Sequence, residues 1–200
     1  MPVLVDLLAD QGITENQLLK NTGLDELDLS AGPFLSAHQS DEVCSRAIEL
    51  SGDRLLGIKL GMRLDMVSLG ILGYALMTSA TVGDVLKLLV RYKRAVLPSM
   101  RIDLIDYAGS VQLRSAAAQV PQALEQFYKD ALYTGLVTNL DVLTDNHAAT
   151  AILELDYGKP EDCALYESVF GSNIQFNSSR CGLTFDANSL AVAISTSDPV

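Results

Sequence analysis

The chain has 200 residues, and 48% of them are hydrophobic, enough to fill one sizeable core and too many for a disordered segment. A formal charge of −11 argues against a surface that itself grips nucleic acid through phosphates, and it repels anionic lipid as well. Three scattered cysteines, Cys44, Cys163 and Cys181, form no CxxC pair, so the sequence points to reduced thiols rather than a disulfide framework or zinc site.

The N-terminus, MPVLVDLLADQG, lacks a basic region and carries Asp6 and Asp10, unlike a signal peptide. Val3 to Ala9 predicts a short amphipathic helix. Thr14 with Gln17 predicts a capping box that starts a second one. Residues 7–27 have a faint helix-turn-helix outline, but Asp6, Asp10, Glu15, Asp25, Glu26 and Asp28 surround a single Lys20, the wrong sign for a DNA face. Asp25 to Phe34 is rich in turn residues. Ser40 is the predicted cap of a stronger helix that Gly52 closes, and Asp53 to Leu60 predicts another ending near Gly61.

Gly70 and Gly73 stand among large apolar residues, a spacing that predicts a buried, closely packed helix. No apolar run is long enough to span a membrane, and Val67 to Ala80 is too short and interrupted. Thr81 followed by Asp84 predicts a helix start. Val82, Val85, Leu86, Leu89 and Tyr92 then recur at helical spacing, with Lys87, Arg91, Lys93 and Arg94 crowding the end where cations suit the helix dipole.

Arg101 to Tyr107 and Val111 to Ala117 predict a β-hairpin around Ala108-Gly109-Ser110. Pro121 sets the start of a long, largely buried helix from Gln122 to about Leu143. Ala149 to Tyr157 predicts a strand, Pro160 a short helix ending at Phe170-Gly171, and Ile174 to Phe176 and Gly182 to Phe185 two short strands. Helices first, then strands interleaved with helices, define an α+β fold: a helical N-terminal part followed by a small, mainly antiparallel sheet packed against long helices.

Catalytic chemistry has little support. The two histidines, His38 and His147, read as a polar contact before a helix and a solvated loop residue. There is no nucleophile elbow, metal-protease motif or phosphate loop, and the carboxylates are dispersed. No enzyme, cofactor or metal site is expected. A binding pocket is the better prospect, because such sites are mostly apolar with a few placed polar groups. Tyr74, Met77, Tyr92, Phe127, Tyr128 and Tyr133 supply large side chains on apolar helices, and Arg91 is the candidate charge for an anionic ligand group. The expected pocket lies between the central helices and the Gln122–Leu143 helix, closed by the hairpin.

Several segments in fixed order carry a family resemblance. They are Gly57-Ile58-Lys59-Leu60-Gly61, then Ser68-Leu69-Gly70-Ile71-Leu72-Gly73-Tyr74-Ala75-Leu76, Thr81 to Leu86, and Arg91-Tyr92. Near the end come Tyr166 to Gly171, Ile174-Gln175-Phe176 and Gly182 to Phe185. Together they resemble the N-terminal sensor domain of AraC-type bacterial transcriptional regulators, in the branch that bears an arabinose-binding label and includes ornithine-utilisation regulators.

The resemblance implies a cytoplasmic regulator that answers to a small-molecule effector, not to arabinose in particular. It implies a sensing domain over residues 1–195, with a helical part to about 97 and an α+β part from about 98, and the start of a linker at 196–200 containing Asp198-Pro199. A helix-turn-helix domain would follow, so DNA would be reached only through that absent region. A homodimer is a further expected partner, and no membrane is. The alternative is a protein-interaction or dimerisation module without a ligand, using exposed apolar faces of the N-terminal helices.

Overall fold

The structure is a computed structural model, and it describes residues 1–24, 27–32, 35–117, 119–145 and 151–195. Expectations for parts of the 25–34 turn, for His147, for residues 149–150 of the third strand and for the linker at 196–200 lie outside the described residues.

Helix α1 (Pro2–Ala9) starts with proline in its first turn and buries Leu4, Val5, Leu7 and Leu8. Helix α2 (Glu15–Leu19) carries the expected capping box. The Thr14 hydroxyl accepts from Gln17 N at 3.3 Å, and Gln17 Oε1 accepts from Thr14 N at 2.8 Å. Its Leu18 and Leu19 are buried. Most apolar side chains of these two helices therefore point inward.

Helix α3 (Ala37–Ser51) is capped four residues before the expected position. Ser36 and Gln39 make a reciprocal capping box, which places Ser40 inside the helix, and Gly52 ends it in the left-handed conformation. Helix α4 (Leu56–Arg63) runs past Gly61 because that glycine is a packing contact rather than a stop.

A 3₁₀ turn at Val67–Leu69 leads to α5 (Ile71–Met77). The expectation of a buried helix fails here. Only Gly73 and Leu76 are buried, while Ile71 is 90% and Tyr74 69% exposed. A helix of about two turns with one inward stripe cannot bury its whole circumference. The tight glycine contact does occur: a Cβ on Gly73 would meet the Met66 carbonyl.

Helix α6 (Val82–Arg91) is capped by Thr81 as its sequence predicts, and buries Val82, Val85, Leu86 and Leu89. Tyr92 is its C-cap and lies outside that buried stripe; α7 (Lys93–Val96) follows directly.

Strands β1 (Met100–Tyr107) and β2 (Ser110–Ala117) form the expected hairpin. The 22-residue α8 (Gln122–Leu143) matches its expected bounds. Strand β3 (Ile152–Glu154), α9 (Ala164–Phe170), β4 (Ile174–Gln175), β5 (Gly182–Asp186) and the short α10 (Ala187–Leu190) complete the chain. Helix α9 starts at Ala164 rather than Pro160, and α10, capped by Asp186, had no clear periodic signal.

The sheet order is β1-β2-β5-β3-β4, antiparallel except for the β3–β4 pair. Leu113, Leu183 and Leu153 are direct cross-strand neighbours and nearly fully buried, so they make one apolar row across the sheet. Helix α8 is buried along most of its length, with α4 packed on it and the sheet side reached through Tyr133.

The end of the described chain is tied back to the helices. Val192 O accepts from Val82 N at 3.0 Å, Ile194 N donates to Ala80 O at 3.1 Å, and Ser195 N donates to Leu143 O at 2.7 Å. Residues 192–195 thus bridge the start of α6 and the end of α8.

Candidate functional site

Helix α8 divides its faces between two environments. Phe127, Tyr128, Ala131, Leu132, Gly135, Leu136 and Asn139 recur at helical spacing and line one side of a cavity of about 320 Å³. Ala131 and Gly135 are small, which leaves room along that stripe. The opposite walls come from α4 (Leu60), the 3₁₀ turn (Leu69), α5 (Leu72, Leu76) and α6 (Val85, Leu89). The volume lies within the range of small-molecule sites.

The cavity therefore lies between the central helices and α8. The hairpin does not close it. Met1, Val3 and Leu4 of the N-terminal segment, Ser40 and Cys44 of α3, and Leu97-Pro98 do.

The predicted pocket residues are spread over three settings. Phe127 and Tyr128 are buried in the cavity wall with ring centroids 5.6 Å apart. Tyr133 is buried but turned to the sheet, where its hydroxyl meets Ser115 Oγ at 2.7 Å and the Cys181 thiol at 3.9 Å. Met77 is half-buried against the core and outside the cavity lining. Tyr74, Arg91 and Tyr92 are on the surface, the Arg91 guanidinium lying 5.6 Å from the centre of the Tyr92 ring.

Sequence reading missed Cys44, Leu60, Leu72, Leu89 and Asn139 as wall residues. The signal available was the stripe on α8, where small residues interrupt large ones.

The polar groups of the wall are mostly committed. The Tyr128 hydroxyl donates to Asp41 Oδ1 at 2.7 Å, and Ser99 donates to the other oxygen of Asp41 at 2.7 Å. Asn139 Nδ2 donates to the carbonyls of Leu64 and Gly135, both at 2.7 Å. Ser68 donates to the Asp65 carbonyl at 2.6 Å. Burial pushes the Cys44 thiol up to about 12, so it stays neutral, and burial raises Tyr128 as well.

The far side of α8 is polar. Asp130 accepts from the hydroxyls of Tyr157 and, at 2.8 Å, Tyr166. Burial pushes Asp130 up to about 7, although both hydrogen bonds and Lys129 pull the other way. Lys129 pairs with Glu125 at 2.7 Å and Asp156 at 2.9 Å. These groups anchor α8 to α9 and to the segment after β3 rather than facing the cavity.

His38 is on the exposed start of α3, 4.0 Å from Glu42. Among the described residues no cluster of His, Cys, Asp or Glu has the geometry of a metal site, and no helix is long and apolar enough to cross a membrane.

Comparison with known proteins agrees with this architecture. The ornithine utilization regulator of Pseudomonas aeruginosa is 27% identical over 175 residues, covering 86% of this chain and 51% of its own length. An uncharacterized HTH-type transcriptional regulator of Mycobacterium tuberculosis is 22% identical over 138 residues, covering 68% of this chain and 40% of its own length. The chain thus spans about half the length, or less, of these curated relatives.

The crystal structure of the transcriptional regulator CdpR from Pseudomonas aeruginosa superimposes with a TM-score of 0.69 at 18% identity, over 98% of this chain and 57% of that one, and so shares the fold. Residues 12–194 match the family described as the N-terminal arabinose-binding domain of AraC transcription regulators, and the chain belongs to that family.

Proposed function

We propose that this chain is the effector-binding regulatory domain of an AraC-type transcriptional regulator, with the cavity between α8 and the α4–α6 helices as its effector site. The observation that carries this reading is the roughly 320 Å³ apolar cavity inside a domain of a regulator family. Phe127 and Tyr128 are the proposed aromatic contacts.

Residues 192–195 are hydrogen-bonded to the start of α6 and the end of α8, and both helices line the cavity. A ligand that favours one packing of α6 on α8 would therefore bias the segment that leads toward a DNA-binding region in a cytoplasmic regulator. Domain limits of 1–195 with a linker beyond follow from the same reading.

The test is a thermal-shift screen of a metabolite library on the 200-residue chain, repeated on Ala131→Leu, which puts three extra carbons on the cavity wall. A ligand that binds the folded state raises its melting temperature. Hits are expected to lose their shift in the variant. Hits that stabilise both proteins equally would remove the cavity from this role. An open reading frame with no helix-turn-helix region after codon 200 would remove the regulator reading itself.

A second reading, self-association, is favoured by the strip of exposed Val67, Ile71 and Tyr74 on and before α5. Sedimentation of Ile71→Lys against the parent chain tests it: a strictly monomeric parent at high concentration rules it out.

A further inference from the structure

We propose that the cavity takes an uncharged, largely apolar molecule bearing a hydrogen-bond donor such as a hydroxyl, and not an anion, an amino acid or a free sugar. This rests on the reading of the cavity as the effector site.

Three observations carry it. Among the described residues, no side chain in the wall is an Asp, Glu, Lys, Arg or His, so a charged ligand would be buried there without a countercharge. Arg91, the sequence's best candidate for gripping an anion, is on the surface and stacked on Tyr92.

The wall's hydrogens are also largely spent. Tyr128 donates to Asp41, Ser68 to Asp65, and both amide hydrogens of Asn139 go to main-chain carbonyls. What Tyr128 and Asn139 can still offer is oxygen lone pairs, which accept from a ligand O–H or N–H and repel a carboxylate. Ser40 adds one hydroxyl and Cys44 a weak thiol donor that lies against the Tyr128 hydroxyl, too few donors for an oxyanion.

Finally, Asp41 stands directly behind Tyr128, and the chain as a whole is acidic, so the local potential opposes anions. Among the described residues at the wall, the α-amino group of Met1 runs the other way. Its burial lowers its pKa and so weakens its charge. A free sugar would bury several hydroxyls among leucines, and each left without a partner costs binding.

The chain contains no tryptophan, so Leu72→Trp gives a single indole at the cavity. The probes are decanol, decanoate and decylammonium, each also with a bromine at the tail as a quencher, together with arabinose and ornithine. Melting temperature is followed by circular dichroism on the parent chain and on Ala131→Leu, and quenching on Leu72→Trp.

Decanol is expected to raise the melting temperature by several degrees in the parent and not in Ala131→Leu, and its brominated form to quench the indole. The two charged probes, arabinose and ornithine are expected to do neither. Should Ala131→Leu fail to fold, quenching in Leu72→Trp decides alone. Decanoate or decylammonium acting as strongly as decanol would overturn the uncharged class while leaving the sensor reading intact. If no probe stabilises or quenches, the apolar class falls, and the sensor reading is then decided by the library screen.

Discussion

Gly57 of α4 stands against Phe127 of α8 so closely that a Cβ there would sit 2.5 Å from the Phe127 carbonyl oxygen and 2.9 Å from Asp130 Cβ. Four residues on, a Cβ at Gly61 would lie 2.7 Å from Thr134 Cβ and 2.8 Å from the Ala131 carbonyl. The two glycines share one face of α4 and set how near it comes to the helix that carries the cavity.

Gly57→Ala therefore forces main chain away from main chain. Alanine's better helix propensity returns about 1 kcal/mol, while overpacking of this kind costs about 1–3 kcal/mol or more. Because the obstructing atoms are backbone, the cost is expected to win by about 2 kcal/mol, lowering the melting temperature by roughly 4–8 °C in a domain of this size. A variant as stable as the parent would show that α4 and α8 can separate freely.

Tyr128 links the cavity wall to α3 through Asp41. Tyr128→Phe keeps the ring and removes the bond to the carboxylate. Asp41 retains Ser99 and is only partly buried, so it is not stranded. Hydrogen bonds to charged groups contribute about 1.5–3 kcal/mol, and a loss of about 1–2 kcal/mol is expected in urea unfolding. Asp41→Asn should cost less than Tyr128→Phe, since the amide oxygen can still accept. The reverse order would mean that the charge, not the bond, matters at this junction.

The sequence made α8 legible almost to the residue, because proline at its start and a continuous apolar spacing leave few alternatives. The capping residues of α2 and α6 and the hairpin were legible for the same local reasons. The caps of α3 and α9 were not. Ser36 and Ser40 are both chemically able to cap, and the choice of Ser36 depended on Gln39 reaching back. Which side of a helix meets the cavity depends on tertiary packing. Phe127 and Tyr133 both look like pocket aromatics in the sequence, yet six positions separate them on α8, and the structure turns one to the cavity and the other to Ser115. Tyr74 and Tyr92 were misleading for a related reason: aromatic residues on short helices can remain outside when only one stripe is covered.

Thr134 is completely buried on α8, and its hydroxyl oxygen has no hydrogen-bond partner among the described residues. Valine has nearly the same shape and the same branching at Cβ, so Thr134→Val keeps the contact with α4 and removes an unsatisfied group. Unsatisfied buried polar groups cost about 1–3 kcal/mol, and the variant is expected to be more stable by about 1 kcal/mol in equilibrium unfolding. Destabilisation by that amount would reveal a partner for the hydroxyl.

Asp130 gives the domain a pH dependence of its own. Burial raises its pKa from 3.8 to about 7, so the folded state holds a proton that the unfolded chain releases between those values. The associated stability is fully present below the unfolded pKa and is lost as pH rises through about 7. A shift of this size, in which the tyrosine bonds to the carboxylate already offset part of the burial cost, corresponds to at most about 4 kcal/mol. The Met1 amino group slopes the other way just below 8.0, because burial lowers its pKa from that value. The measurement is therefore the difference between the parent chain and Asp130→Asn in urea unfolding from about pH 5 to about pH 8. Asparagine cannot titrate but can still meet Tyr157 and Tyr166. The parent should lose stability relative to the variant as pH rises from about 5, with the loss levelling off above about 7. A difference that stays flat across this window would place the titration of Asp130 elsewhere.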